Sequence, residues 1–302
     1  MIRPPFLQAG DRVGVLAMAS QVSYAALQTG LRVLREDWQL EVLEGRTLHT
    51  RFNQFAGTDE ERREDLQRML DDSTVKAIFS ARGGYGCSKI IDGLSFRRFR
   101  KHPKWLIGFS DITALHCHTE RLGFESLHAT MPKLFGQEGG GQALDTLKKA
   151  LWGEDLHYEI PARRFNRVGN CRGEIIGGNL CLLAHLIGSR SEPDTRHKIL
   201  FIEDVDEYYY NLDRMLVQLR RAGKLSRLAG LIVGQFTDLK DNETSPFGQN
   251  HYEIIAEHTS AYNYPVCFDF PVGHVADNRT MIIGREARLS VSAEAVQLHF
   301  SR

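Results

Sequence analysis

Hydrophobic and polar positions alternate in two rhythms along residues 1–130. Apolar runs at 12–17 (RVGVLA), 40–43, 75–80 (VKAIFS) and 105–109 (WLIGF) have the length of buried strands. Between them, at 24–36, 58–72 and 111–122, apolar positions recur three and four residues apart, the period of an amphipathic helix. The second of these helices opens on Thr58-Asp-Glu-Glu61, a capping box in which the N-cap hydroxyl and the carboxylate three residues on satisfy each other's backbone amides. A short helix is expected at 88–93. Strands alternating with helices predict an α/β fold, a doubly wound and mainly parallel sheet whose functional loops leave the carboxyl ends of the strands. This N-terminal domain is placed at 1–140.

From residue 136 the pattern loosens, through Gly139-Gly140-Gly141 and one helix to Pro161-Ala-Arg-Arg164, and 141–170 is read as a linker. A second domain, 171–302, opens on CRGEIIGGN and continues with a helix at 180–187, a strand at 199–203, a helix at 210–221 and a strand at 228–236. Residues 287–291 and 296–300 alternate like paired strands.

Charge and cysteine usage narrow the function. Lys plus Arg equal Asp plus Glu at 38 each in the 302 residues, so no overall electrostatic grip on nucleic acid or an anionic membrane is expected. The partner expected is a small molecule or another protein. The opening segment lacks the apolar core and cleavage site of a secretion signal, which points to the cytoplasm. Five scattered cysteines without a CxxC pair argue against a disulfide framework and against a structural zinc site, and no metal or other cofactor is expected.

The chemistry concentrates at strand ends. In WLIGFSDITALH an apolar strand ends at Gly108 and a helix begins at once, so Ser110 projects from a strand-to-helix corner. Such a corner exposes a nucleophilic Oγ beside the free amides of a helix start; the alternative is that Ser110 or Asp111 only caps the helix. Ile112 stands where GxSxG would have its second glycine, which separates this chain from the α/β-hydrolase pattern. FSARGGYG, at 79–86, lays three glycines just after a strand, and one amide of that turn with the amide of Asp111 would make an oxyanion hole. A phosphate cradle is the rival reading, but neither GxxxxGK[ST] nor GxGxxG is present. His274, in PVGHVADNRT beside Gly273, is the candidate base. Glu203, with Asp204 as its neighbour at the end of a strand, is the candidate carboxylate that would orient the histidine. His116 and His118 lie two apart on a helix, point different ways, and are read as packing or surface residues.

Taken in order, RGGYG, IGFSD, GGN, IEDVDE with its YNLDRML helix, and PVGH resemble the LD-carboxypeptidases, the serine peptidases that include muramoyltetrapeptide carboxypeptidases and microcin-immunity hydrolases. The resemblance runs over nearly the whole chain. It implies a Ser110–Glu203–His274 triad, the nucleophile from the N-terminal domain and the other two residues from a β-barrel-like α/β domain, with the site at their interface. It further implies an oxyanion hole from the amides of Asp111 and Gly84, no metal, a homodimer, and removal of the terminal D-alanine from murein tetrapeptide in cell-wall recycling. For such an anionic substrate, Arg82, Tyr85 and Arg279 are candidate binding residues. The alternative within the family is cleavage of an acyl-adenylate conjugate, with Trp152 or Tyr208, Tyr209 and Tyr210 holding the adenine. A non-catalytic binding protein is the reading from another class.

Overall fold

The computed structural model describes residues 1–301. Its strands, in chain order, are β1 (Arg12–Leu16), β2 (Glu41–Glu44), β3 (Val75–Ser80), β4 (Trp105–Gly108), β5 (Ser126–His128), β6 (His157–Pro161), β7 (Gly169–Asn179), β8 (Ile199–Val205), β9 (Gly230–Thr237), β10 (Val266–Cys267), β11 (Met281–Ile283), β12 (Glu286–Val291) and β13 (Ala295–Phe300). They divide between two compact units. One comprises Met1–Glu154 with Ala276–Ile282; the other comprises Asp155–Val275 and the residues from Ile283 onward.

The first unit holds a six-stranded sheet in the order β11-β5-β4-β3-β1-β2, parallel at every pairing from β2 to β5. Val13, Val15, Leu16, Ala77, Ile78, Phe79, Leu106 and Ile107 are all buried, the near-continuous apolar run of strands covered on both faces. Gly14 interrupts one run because the helix Asp59–Asp71 lies there: a Cβ on Gly14 would stand 2.5 Å from Met69 Sδ. The capping box is formed, Glu61 N donating to Thr58 Oγ1 at 3.2 Å and Thr58 N to Glu61 Oε2 at 2.7 Å. The helix expected at 24–36 is instead a tight turn at Tyr24–Leu27, one regular stretch at Gln28–Arg32 and a wide turn at Val33–Asp37. Its middle is pinned by Gly30, whose bare Cα faces the Pro132 carbonyl. Strand order reverses between β1 and β3, and loops leaving the carboxyl ends of that pair open the crevice where such sheets place their ligands.

The second unit holds a seven-stranded sheet in the order β10-β9-β8-β7-β12-β13-β6. β7 is shared by two ladders: Gly169 to Glu174 pairs antiparallel with β12, and Ile175 to Asn179 pairs parallel with β8. β12 and β13 form the expected antiparallel pair, with Leu289 opposite Leu298. The barrel-like form implied by the resemblance is not closed. β6 pairs with β13 and no strand joins it to β10, whose free side carries one antiparallel bridge, Arg167 to Val266.

Residues 141–170 are not an irregular linker. Gly141–Trp152 is a helix of the first unit, capped by Gly153 in the left-handed region (φ 78°), and β6 already belongs to the second. The second unit is also not one segment, since Ala276–Ile282 belongs to the first. No helix among the described residues is long and apolar enough to cross a membrane.

Candidate active site

In the first unit, β4 ends at a strand-to-helix corner. Ser110 starts a short 3-10 turn, Ser110–Ile112, which runs straight into the helix Thr113–Arg121. Its φ is 65°, in the left-handed region, which costs an L-residue roughly 1–2 kcal/mol. A cap serine has extended backbone, so this conformation is not that of a cap and matches the strained turn on which a nucleophile elbow is built; the cap position is Phe109, with φ −147°. Behind the corner, His116 is fully buried. Its Nε2 lies 2.8 Å from the Gly108 carbonyl and its Nδ1 2.8 Å from Ser126 Oγ, tying the end of β4 to β5. Burial pushes His116 down to about 4, so it stays neutral and serves as a brace.

The glycine turn after β3 has a use for each bare position. A Cβ on Gly83 would sit 2.9 Å from Ser110 Cβ and 3.1 Å from its Oγ, so the turn passes directly against the serine. Gly84 (φ +116°) packs on Ser20, and Gly86 (φ +132°) leaves room for the Arg62 guanidinium. The turn is pinned along its length. Ser80 Oγ donates to the Arg82 carbonyl at 2.8 Å, Arg82 Nη1 to the Gln21 carbonyl at 3.0 Å, and Tyr85 N to Ser20 Oγ at 3.2 Å. Arg62, wholly buried, donates to the Gly86 and Met18 carbonyls at 2.9 and 2.8 Å and pairs with Asp59. Asp111 Oδ2 accepts from Cys87 N at 2.7 Å, which locks the far end of the turn to the residue after Ser110.

Asp111 therefore has two groups in play. Its carboxylate is a buried clamp, pushed up to about 6 by burial against the opposing amides of Cys87 and Gly86 and the charge of Arg62. Asp111→Ala would leave the Cys87 amide buried without an acceptor and is expected to cost about 1–3 kcal/mol, read from urea unfolding. An unchanged midpoint would mean that the clamp carries no weight.

In the second unit a histidine and a carboxylate are already joined. Glu203, completely buried near the end of β8, accepts at Oε2 from His274 Nδ1 at 2.8 Å; the imidazole remains partly exposed. Local structure explains the aim of Glu203. Between Ile202 and Asp204 the pairing with β9 slips by one residue, a bulge that falls at Gly234-Gln235. A Cβ on Gly234 would lie 3.2 Å from Glu203 Cβ, and one on Gly273 2.9 Å from the same atom. Two glycines thus clear space for one carboxylate. Gly273, beside the histidine, is one of them.

Asp204 is differently occupied. Its Oδ1 accepts from Asn179 Nδ2 and Val205 N, at 2.7 and 2.9 Å, and its Oδ2 from Cys181 N at 2.9 Å. It anchors the start of the helix Leu180–His185, and burial followed by the charge of Glu203 pushes it up to about 7. Burial alone would lower His274, but the hydrogen bond and charge of Glu203, with Asp204 and Asp238, outweigh it and raise the imidazole above its ordinary value. Such a ring, with Nδ1–H fixed on Glu203, presents Nε2 as a proton acceptor.

The remaining candidates are placed as follows. Arg82 lies in the pinned turn. Tyr85 is half exposed, its ring 5.8 Å from Phe55. Arg279 is held by both oxygens of Asp277, at 3.0–3.2 Å, so its charge is already matched. Trp152 packs edge-on against Trp38 at 5.5 Å, while the rings of Tyr208 and Tyr210 lie 5.5 Å apart and partly exposed. Gly83 lies within the glycine turn that the sequence sets beside Ser110, whereas Arg62 and Gly234 carry no such sign, since close approach of a side chain leaves no mark in composition.

Comparison with known proteins identifies the family. Residues 13–129 match the model of the LD-carboxypeptidase N-terminal domain and residues 172–289 that of its C-terminal domain. A probable murein peptide carboxypeptidase of Bacillus subtilis is 34% identical over 301 residues, covering 96% of this chain and 92% of that protein. The murein tetrapeptide carboxypeptidase of Pseudomonas aeruginosa is 32% identical over 293 residues, 92% of each. The crystal structure of muramoyltetrapeptide carboxypeptidase from Oxalobacter formigenes superposes with a TM-score of 0.87 at 26% identity, covering 96% of this chain and 99% of that one. The microcin C7 self-immunity protein MccF, solved with aspartyl sulfamoyl adenosine, gives 0.87 at 19% identity over 99% and 98%, a likeness of fold alone. The chain belongs to the LD-carboxypeptidase family and is a serine-type carboxypeptidase.

Proposed function

We propose that this enzyme releases the terminal D-alanine from murein tetrapeptide in cell-wall recycling, with Ser110 as nucleophile, His274 as base and Glu203 as the carboxylate that orients it. The observation that carries the reading is the buried Glu203–His274 pair at 2.8 Å, which fixes one ring nitrogen as donor and leaves the other to take a proton. The left-handed backbone of Ser110 and the pinned glycine turn against its Oγ support the nucleophile and the oxyanion hole. Oγ attacks the carbonyl as its proton passes to His274 Nε2. The negative oxygen is met by the amides of Asp111 and Gly84. The imidazolium, stabilised by Glu203, then protonates the leaving D-alanine amine, and water activated by the same base releases the acyl-enzyme.

Mass-resolved hydrolysis tests the reading, with murein tetrapeptide and an acyl-sulfamoyl adenylate offered in parallel. Loss of one D-alanine is the expected result. Cleavage of the adenylate alone would replace the substrate and leave the triad in place.

A further inference from the structure

Two neighbouring cations, Arg82 and Lys133, have no acidic partner among the described residues. Arg82 is the residue before Gly83, which itself lies against Ser110 Oγ, and its guanidinium is given one neutral acceptor, the Gln21 carbonyl. Lys133, in the short turn Pro132–Leu134 that follows β5, is joined to the same turn through its backbone, Lys133 N donating to the Ala81 carbonyl at 3.2 Å. Burial and then the positive charge of Arg82 lower the lysine below its ordinary value, and no carboxylate offsets them. Several other arginines and lysines of this unit have acidic partners, as Arg12 with Glu41, Arg63 with Glu60, Lys89 with Asp59, Lys149 with Asp145 and Arg279 with Asp277. Like charges held together without a counter-ion cost free energy that an anion recovers on binding.

We infer that Lys133 and Arg82 together form the anion-recognition pair of the active site and receive the free C-terminal carboxylate of the peptide. This rests on the function proposed above. An enzyme that removes one C-terminal residue must find that carboxylate one residue from the bond it cuts, a span of about 3.8 Å between successive Cα atoms. Arg82 is one residue from the glycine that packs against Ser110. The guanidinium supplies a planar fork for the two oxygens, and the ammonium of Lys133 a point charge from the flanking turn. Arg279, already paired with Asp277, is left out of this role.

The test is the ratio of kcat/KM for a murein tetrapeptide with a free C-terminus over the same peptide as its C-terminal amide. In Lys133→Gln and in Arg82→Gln the ratio is expected to fall about tenfold to a hundredfold, through KM for the free acid. Lys133→Arg, which keeps the charge, should recover most of it. Lys133 is exposed, so its variants are expected to fold, and fluorophosphonate labelling of Ser110 checks that the nucleophile is intact. An unchanged ratio in both glutamine variants overturns the pair while leaving the proposed function standing. A labelled wild type that cuts neither peptide overturns the function and this assignment with it.

Discussion

Replacing Ser110 by alanine is expected to lower kcat/KM for murein tetrapeptide by about 10³- to 10⁶-fold and to abolish fluorophosphonate labelling, with the far-ultraviolet spectrum unchanged. Removing a nucleophile forfeits the covalent route, and what remains is the help that binding and the oxyanion amides give to direct attack by water. The backbone makes a second, independent reading available. Ser110 sits at φ 65°, and alanine inherits that strain whereas glycine does not. Ser110→Gly should therefore be as inactive as Ser110→Ala and yet more stable than it by about 1 kcal/mol in urea. Wild-type-like turnover in either variant would remove Ser110 from the chemistry. Equal stability of the two would mean that the corner is unstrained, and that the elbow is a matter of position only.

The elements that position this serine were legible in sequence because they obey local rules. A buried parallel strand is an apolar run, a capping box is a four-residue pattern, and a serine between such a strand and an amphipathic helix is forced to a corner. Glu203 was legible for the same reason, as a carboxylate at a strand's end. What local pattern does not carry is which of two adjacent acids turns toward the histidine. That choice depends on a one-residue slip between β8 and β9 and on the absence of side chains at Gly234 and Gly273, positions 31 and 70 residues downstream of Glu203. The clamp on the glycine turn is non-local too. Arg62 reads as one more basic residue on a charged helix, Asp59–Asp71, and only the packing of that helix buries it against the Gly86 carbonyl. The same holds for the open edge of the second sheet and for the return of Ala276–Ile282 to the first unit, both settled by pairings distant in sequence.

The acid limb of the pH profile should separate Glu203 from Asp204. Only neutral imidazole accepts the serine proton, so kcat/KM is expected to rise with pH through the titration of His274 and to level above it. Because the hydrogen bond and charge of Glu203 hold His274 above its ordinary value of 6.5 against the opposing effect of burial, the limb should be centred above that value. Glu203→Gln removes the charge that stabilises the imidazolium. It should move the limb downward and, by losing the orientation of the ring, lower the plateau by about 10²- to 10⁴-fold. Asp204→Asn acts on a different structure. It takes one acceptor from the set that holds Asn179, Cys181 and Val205, so its main effect should be a loss of about 1–3 kcal/mol of stability. A small downward shift of the limb should accompany it, from the missing second charge. If Asp204→Asn instead flattened the plateau while Glu203→Gln spared it, the carboxylate assigned to the histidine would be the wrong one of the pair. His274→Ala sets the scale for both: with the base gone, the limb itself should vanish along with about 10³- to 10⁶-fold of the rate.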